Sequence, residues 1–141
     1  MAYECFEVTI EDKIAHIRMN RPEALNTMNK AFWNELPEII HDIDNNARFS
    51  CMEEARMPVL FACHGGVIGG AVDMISAGDI RWCTKDAFFS IMETNIAMTA
   101  DVGTFPRLQR YIPEGWAKQM AYTGMRLPAA KAKEIGLVND V

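Results

Sequence analysis

The stretch from Met57 to Gly103 constrains the fold of this chain more than any other. A short apolar run, Val59 to Cys63, meets a cluster of four glycines between positions 65 and 70, and apolar residues at helical spacing follow. A second apolar run covers Ile80 to Cys83. A strand, a glycine turn and a helix in that order direct backbone N–H groups to one place. We therefore expect a donor-lined turn within an α/β fold.

Three carboxylates follow the glycine cluster closely in sequence. They are Asp73, Glu93 and Asp101. Donors for a negative oxygen, combined with carboxylates that move protons, are the parts that acid–base chemistry beside a carbonyl requires. Taken singly, each acid also has an ordinary structural explanation, because Asp73 suits the first turn of a helix and the other two suit a surface.

Composition limits the classes of function. The chain has 141 residues, of which 50% are hydrophobic and 23% charged, and its net charge is −5. These values predict one globular domain and argue against a general nucleic-acid binder. No apolar run approaches the length of a membrane span, and the acidic N-terminus resembles neither a secretion signal nor a transit peptide. The scattered histidines and cysteines give no metal-ligand spacing, so we expect no metal site.

Periodicity predicts the elements on either side of the glycine cluster. Alternating residues at Cys5–Ile10 and Ile14–Met19 indicate a β-hairpin. Apolar residues at helical spacing over Met28–Ile43 indicate a helix, which we expect Asn26 or Thr27 to cap. Because Pro37 lies inside this pattern, we expect a kink or a break near Leu36.

The second half of the chain reads as short strands followed by helices. A strand is expected at Asp79–Cys83 and an extended segment at Phe88–Glu93. Three closing helices are expected to open near a proline and the last two to end at a glycine, with openings at Thr104, Pro113 and Pro128. A short helix is expected between 49 and 56, a helix stop at Gly78, and a last strand at Leu137–Val138.

The glycine cluster does not have the spacing of the common phosphate-binding loops. It lacks Gly-x-Gly-x-x-Gly, and no Gly-Lys-Ser or Gly-Lys-Thr follows. No Gly-x-Ser-x-Gly elbow is present either. Dinucleotide binding, nucleotide binding and a serine nucleophile are therefore disfavoured.

Three ordered segments together resemble one known family. They are HGGVIGGAVDMISAGDIRWCTKDAFFSIMETNIAMTADVGTFPRL, RPEALNTMNKAFW and TGMRLPAAKAKEIGLVNDV. They are similar to the signature region, the CoA-side segment and a later segment of the crotonase (enoyl-CoA hydratase/isomerase) superfamily. The resemblance implies a crotonase-like ββα-repeat fold over residues 1–141 and an acyl-CoA thioester substrate, with no separate cofactor because coenzyme A is part of that substrate.

Within the superfamily the chain is most similar to the Δ3,5-Δ2,4-dienoyl-CoA isomerases. Glu93 falls at the second catalytic acid position, Asp73 falls where hydratases usually carry a glutamate, and Asp101 in TADVG falls where these isomerases carry an extra aspartate. The resemblance implies Gly70 as an oxyanion-hole donor. It also implies that Ala24, Leu25, Gly66 and Gly69 contact the substrate.

The sequence departs from the family pattern in two places. We expect a block of a few dozen residues, including the turn that supplies the first oxyanion donor, to be missing between residues 48 and 49. We also expect the family's C-terminal helical region to be absent after Val141. Because one such donor contributes about 10²–10³ in rate, we expect a chain without it to be slower than its full-length relatives by at least that factor.

The resemblance implies an isomerase of fatty-acid β-oxidation that shifts the double bonds of a dienoyl-CoA. Two alternatives stay open, namely an enoyl-CoA hydratase that adds water to a 2-enoyl-CoA and a catalytically impaired crotonase-like chain. The family also implies a homo-oligomer, either a trimer or a hexamer. The location expected is the cytoplasm of a bacterium, or the mitochondrion or peroxisome of a eukaryote.

Overall fold

A computed structural model describes residues 3–44, 52–53 and 55–141 of the chain. The chain folds as two compact units, Met1–Met57 and Pro58–Val141. The prediction of a single domain therefore stays a prediction. The expected gap between residues 48 and 49 lies outside the described residues, as does most of the helix expected between 49 and 56.

The first unit is a β-hairpin with one long helix. Strands β1 (Phe6–Glu11) and β2 (Ile14–Met19) pair antiparallel, with Phe6 opposite Met19, and this confirms the predicted hairpin. A short 3₁₀ helix, Pro22–Ala24, precedes helix α1 (Lys30–Asp44). The Phe6 and Phe32 rings pack with their centroids 5.0 Å apart, so hairpin and helix share one small core.

Helix α1 differs from the expectation at its start and at Pro37. Asn29, rather than Asn26 or Thr27, is the cap, because its Oδ1 accepts the N–H of Phe32 at 2.9 Å. The side chain of Asn26 instead accepts the N–H of Arg21. The break expected at Pro37 is wrong, since the helix runs through it. Buried apolar side chains lie on both sides of this proline, and their packing outweighs the lost hydrogen bond.

The second unit contains five short strands and four α-helices among the described residues. The strands are β3 (Leu60–Cys63), β4 (Gly66–Ile68), β5 (Ile80–Cys83), β6 (Phe88–Ser90) and β7 (Leu127–Pro128). The helices are α2 (Gly70–Ser76), α3 (Thr104–Leu108), α4 (Glu114–Thr123) and α5 (Ala129–Glu134), and a 3₁₀ helix covers Glu93–Ile96. β3 pairs parallel with β5, and β6 lies between β4 and β7.

Strand β4 lies inside the glycine cluster, where the sequence predicted only a turn. It pairs parallel with β6, with Gly66 opposite Phe88. Val67 is buried between two exposed neighbours, which is the alternation of a half-buried strand. A Cβ on Gly66 would stand 2.9 Å from Cζ of Phe88, so packing explains this glycine. The cluster is therefore a strand followed by a turn and a helix.

One predicted helix stop has a different physical basis, and one predicted helix cap was assigned to the wrong residue. Gly78 follows Ala77, the C-cap of α2, as predicted, but its φ is not left-handed. Gly78 is required for space instead, since a Cβ there would lie 2.4 Å from Cδ2 of Phe61. The cap of α3 is Gly103, with φ +84°, whereas the sequence suggested Thr104.

The last two helices begin at the predicted prolines, and α4 ends at the predicted glycine. Pro113 and Pro128 are the N-caps of α4 and α5, and Gly124 ends α4 with φ +58°. The strand expected at Leu137–Val138 is wrong. Both residues are buried, but the Leu137 carbonyl accepts Nε of Arg81 at 2.8 Å instead of joining a strand.

Candidate active site

Gly69 links strand β4 to helix α2. Its φ of +58° is a left-handed value that favours glycine. Its N–H donates to the carbonyl of Ser90 at 2.9 Å, and its own carbonyl accepts the N–H of Val72 at 2.7 Å. The Ser90 hydroxyl donates to the Gly124 carbonyl at 2.9 Å, so Ser90 ties the turn on one side to the end of α4 on the other.

Gly70 is the first residue of α2. In an α-helix the first N–H groups have no acceptor within the helix, so the N–H of Gly70 is not used by α2 itself. This is the geometry expected of the oxyanion donor that the sequence predicts at this position. That role of Gly70 stays a prediction.

Asp73 is buried within α2 and holds a hydrogen bond from a neighbouring helix. It is 3% exposed, and its Oδ1 accepts the hydroxyl of Thr104, which is 1% exposed on α3. Burial raises the pKa of Asp73 above its ordinary range, and the negative charge of Asp101 acts in the same direction. The Thr104 hydrogen bond and the positive charge of Arg107 oppose that rise in pKa.

Glu93 opens the 3₁₀ helix and lies against the glycine turn. A Cβ added to Gly69 would stand 3.0 Å from its Oε1, so the missing side chain at Gly69 makes room for this carboxyl. Its other oxygen, Oε2, is buried and has no hydrogen-bond partner among the described residues. Burial raises the pKa of Glu93, the charges of Asp73 and Asp101 raise it further, and its own backbone N–H lowers it.

Asp101 completes a cluster of three acids. It is exposed in the loop before α3, and its charge acts on both Asp73 and Glu93. The fold thus brings together the three carboxylates that the sequence singled out, from α2, the 3₁₀ helix and the loop. Their environments differ, since Asp73 has a donor, Glu93 has an orphaned oxygen and Asp101 faces solvent.

The other predicted substrate contacts divide between the two units. Gly66 and Gly69 precede α2. Each is a glycine because a Cβ would crowd a neighbouring side chain, Phe88 at Gly66 and Glu93 at Gly69. Ala24 ends the 3₁₀ helix of the first unit, and Leu25 follows it in left-handed geometry with φ +53°. Leu25 is 87% exposed, so its side chain is open to a ligand.

The sequence did not identify Thr104 and Ser90 as parts of the site. Thr104 was interpreted as a helix cap, and Ser90 carries no motif of its own. The one signal in the sequence was that a glycine, Gly103, directly precedes Thr104. In the structure Gly103 is left-handed and caps α3, so the Thr104 hydroxyl is not used as the cap. Only the tertiary contact between α2 and α3 shows which acceptor that hydroxyl finds.

Neither a metal ion nor a membrane span is indicated by the described residues. Within 3–44, 52–53 and 55–141, no three His, Cys, Asp or Glu side chains are placed to hold a metal ion. No described helix is both long enough and apolar enough to cross a bilayer. The chemistry that the acid cluster itself offers is the holding and moving of protons by carboxyl groups beside a backbone donor.

Comparison with known proteins identifies relatives over almost the whole chain. The family model for enoyl-CoA hydratase/isomerase matches residues 46–141. The mitochondrial Δ(3,5)-Δ(2,4)-dienoyl-CoA isomerase of Rattus norvegicus is 33% identical over 192 aligned positions, which cover 99% of this chain and 59% of the relative. The peroxisomal Δ(3,5)-Δ(2,4)-dienoyl-CoA isomerase of Arabidopsis thaliana is 29% identical, with 99% and 70% covered. These relatives confirm the resemblance seen in the sequence.

Solved structures share the fold. A crystal structure of an enoyl-CoA hydratase from Mycobacterium avium subsp. paratuberculosis K-10 matches with a TM-score of 0.93 and 22% identity, over 99% of this chain and 69% of that chain. An enoyl-CoA hydratase/isomerase from Pseudoalteromonas atlantica T6c matches with a TM-score of 0.91 and 18% identity, over 98% and 70%. They confirm the predicted crotonase-like α/β fold, present in part.

The chain is shorter than these relatives. It spans 59% of the length of the rat protein. The alignment with that protein has 192 positions whereas the chain has 141 residues, so about fifty positions of the relative have no counterpart here. The match of the family model over two-thirds of the chain nevertheless decides its membership. This chain belongs to the enoyl-CoA hydratase/isomerase family.

Proposed function

We propose that this chain isomerises a 3,5-dienoyl-CoA to a 2,4-dienoyl-CoA, with Glu93 and Asp101 as the proton-transferring pair. The observation that carries the proposal is the position of Asp101, whose charge acts on both Asp73 and Glu93. A reaction that removes a proton at one point of an acyl chain and returns one at another needs two separate carboxyl groups. The names of the curated relatives at 29–33% identity support the same reaction.

The proposed reaction balances as a shift of double bonds. One carboxylate removes a proton from the carbon beside the thioester, and the electron pair moves toward the thioester oxygen as an enolate. The N–H of Gly70 would donate to that oxygen. A carboxyl group then returns a proton farther along the chain, where the new saturated carbon forms, so substrate and product have the same composition. Burial near Glu93 strengthens these interactions, because water screens them less.

A role for the first unit is included in this proposal. Leu25 and Ala24 would contact the CoA moiety, because Leu25 is exposed on a turn of fixed backbone geometry. Asn26 holds that turn by accepting the N–H of Arg21 at 2.8 Å. A homo-oligomer, a trimer or a hexamer, and a cytoplasmic, mitochondrial or peroxisomal location are proposed from the family resemblance alone.

Enoyl-CoA hydration is the second candidate. The observation that favours it is the orphaned Oε2 of Glu93, since a buried acceptor without a donor among the described residues suits a bound water. In that reaction Asp73 and Glu93 would hold and activate the water that adds to a 2-enoyl-CoA. Asp101 would then have no part in the chemistry.

Asp101→Asn separates the two reactions. We expect the variant to lose about 10²–10⁴ in the rate of 3,5-dienoyl-CoA isomerisation, which is the usual contribution of a proton-transferring group. Glu134→Gln is the control, because Glu134 is exposed on α5, pairs with Lys131 at 2.6 Å, and is not among the charges that shift the pKa of Asp73 or Glu93. Both variants and the wild-type chain would be assayed with a 3,5-dienoyl-CoA and with a 2-enoyl-CoA.

Each outcome selects one function. Isomerisation that survives Asp101→Asn unchanged overturns the proposed role of Asp101. Water addition that survives the substitution, without isomerisation by the wild-type chain, favours the hydratase. A folded wild-type chain that converts neither substrate is the catalytically impaired relative, for which the fifty or so absent positions supply the reason.

A further inference from the structure

Thr104 is the buried polar group beside the acid cluster to which the proposed reaction gives no role. Its residue is 1% exposed at the start of α3, and Gly103 rather than Thr104 caps that helix. The hydroxyl therefore has no task in its own helix. Among the described residues its hydrogen-bond partner is Oδ1 of Asp73, which is itself 3% exposed.

The direction of this hydrogen bond depends on the protonation of Asp73. An ionised carboxylate only accepts hydrogen bonds, and it takes the one proton of the Thr104 hydroxyl. A protonated Asp73 could donate instead, but the buried Thr104 hydroxyl proton would then need another acceptor. The hydroxyl therefore stabilises the ionised form of Asp73 relative to the neutral form.

Glu93 has the opposite arrangement. Its Oε2 is buried with no donor among the described residues, so ionisation would place charge on an oxygen that none of them stabilises. Glu93 does receive its own backbone N–H, which lowers its pKa, but no described donor reaches its buried Oε2. The two neighbouring carboxyl groups thus receive unequal support, because Oδ1 of Asp73 has a buried side-chain donor and Oε2 of Glu93 has none among the described residues. Two carboxyl groups that repel each other do not both ionise readily, and the better-supported one loses its proton first.

We propose that Thr104 is a positioning residue of the acid cluster: by donating to Asp73 it keeps that group ionised and leaves the last proton of the pair on Glu93. The inference rests on the proposed function only where it explains what the proton on Glu93 is for, namely transfer to the substrate. The distribution itself is a property of the free protein.

Charged groups on three other parts of the chain surround Asp73. Glu93 comes from the 3₁₀ helix, Asp101 from the loop before α3, and Arg107 from α3 itself. The charge of Asp101 disfavours ionisation of both Asp73 and Glu93, so it does not by itself select one of them. Arg107 favours the ionised form of Asp73 and therefore acts in the same direction as Thr104.

The test is a titration of the side-chain carboxyl carbons by NMR in the free protein, labelled with ¹³C in aspartate and glutamate. Asp73→Asn and Glu93→Gln assign the two signals. In the wild-type chain we expect Asp73 to titrate first and Glu93 to hold the last proton. In Thr104→Val, which keeps the shape and removes the hydroxyl, the proton affinity of Asp73 is expected to rise by on the order of tenfold. Thr104→Ser restores the wild-type order.

Two results would overturn the proposal. One is a wild-type chain in which Asp73 holds the last proton, and this result does not require the Thr104→Val variant to fold. The other is a folded Thr104→Val protein whose Asp73 and Glu93 titrate as in the wild type. The titration uses no substrate. An absence of isomerisation would therefore contradict the proposed function without deciding the order in which Asp73 and Glu93 titrate.

Discussion

The two units of the chain present their proposed site residues in opposite ways. In residues 58–141, Asp73 is almost completely buried and Glu93 is packed against a glycine whose side chain would displace it. In residues 1–57, Leu25 stands 87% exposed on a turn. Proton transfer needs carboxyl groups in fixed, poorly hydrated surroundings, whereas a ligand contact needs an open side chain. The difference shows that holding a buried carboxyl group in place and presenting an exposed side chain depend on different structural features.

These features can be named in each unit. The acid cluster is fixed through side chains and backbone pairing, because the Ser90 carbonyl accepts the Gly69 N–H and Thr104 donates to Asp73. The Leu25 turn is fixed by short-range features of the turn itself, since Leu25 and Asn26 both have positive φ values, 53° and 52°, and the Asn26 side chain accepts the N–H of Arg21. Substitutions that remove one kind of feature should therefore have different effects from those that remove the other.

The largest effect is expected from Glu93→Gln, which removes the proposed proton-transferring group and keeps its shape. We expect the isomerisation rate to fall by about 10²–10⁴. Because Oε2 of Glu93 is buried without a donor among the described residues, we also expect the thermal unfolding midpoint not to fall. Turnover and thermal unfolding of the variant would be compared with those of Glu134→Gln. A rate equal to that of the control would remove Glu93 from the chemistry.

Gly69→Ala should damage stability and activity together. Its φ of +58° strains any L side chain, and the new Cβ would approach Oε1 of Glu93 to 3.0 Å. We expect a loss of about 1–3 kcal/mol in the free energy of unfolding, together with slower turnover. Gly115→Ala is the matched control in α4, where a Cβ meets no atom within 4 Å, and it should be neutral or stabilising. Equal denaturant midpoints for the two variants would contradict this explanation of the turn.

The pH dependence of stability tests the burial of the acids. Burial raises the pKa of Asp73 and of Glu93 above their ordinary values of 3.8 and 4.5. The folded chain then binds more protons than the unfolded chain, so these groups contribute stability below those values and lose it as pH rises through the folded-state pKa. We expect Asp73→Asn to flatten this decline, as measured by denaturant unfolding across a pH series.

Asp86→Asn is the control for that series. Asp86 is exposed in a turn, and the Thr84 hydroxyl lowers its pKa, so its contribution has the opposite sign and is lost as pH falls. Removing it should leave the decline at pH values above the ordinary carboxyl range unchanged. If the curves of Asp73→Asn and the wild-type chain are parallel there, Asp73 does not have the raised pKa on which the comparison of the two units depends.

The smallest effect is expected from Leu25→Gly in the first unit. The substitution relieves a left-handed conformation at a side chain that buries little, so the free energy of unfolding should rise by up to about 1 kcal/mol. If Leu25 contacts the CoA moiety, KM should rise while kcat changes little. Leu25→Ala keeps the strain and removes the contact, and a KM unchanged in both variants would argue against the contact.

The acids were predictable because their chemistry shows in sequence, and their neighbours were not. Glu93 and Asp101 lie in a recognisable family motif, and the glycine spacing predicted the turn before α2. Strand β4 was missed because only Val67 in its three residues is buried, so periodicity had too little length to show it. The run of α1 through Pro37 and the Thr104 hydrogen bond both depend on tertiary packing, which local propensity does not contain.

The most direct test of the proposed function is the conversion of a 3,5-dienoyl-CoA by the purified 141-residue chain, followed through the ultraviolet absorbance of the conjugated 2,4-dienoyl thioester. Thermal unfolding of the same sample would establish that it is folded. We expect the conjugated product to appear at a rate proportional to the concentration of the chain, and to be strongly reduced by Glu93→Gln. A folded chain that leaves the substrate unchanged would contradict the assignment of the acid cluster as an isomerase site.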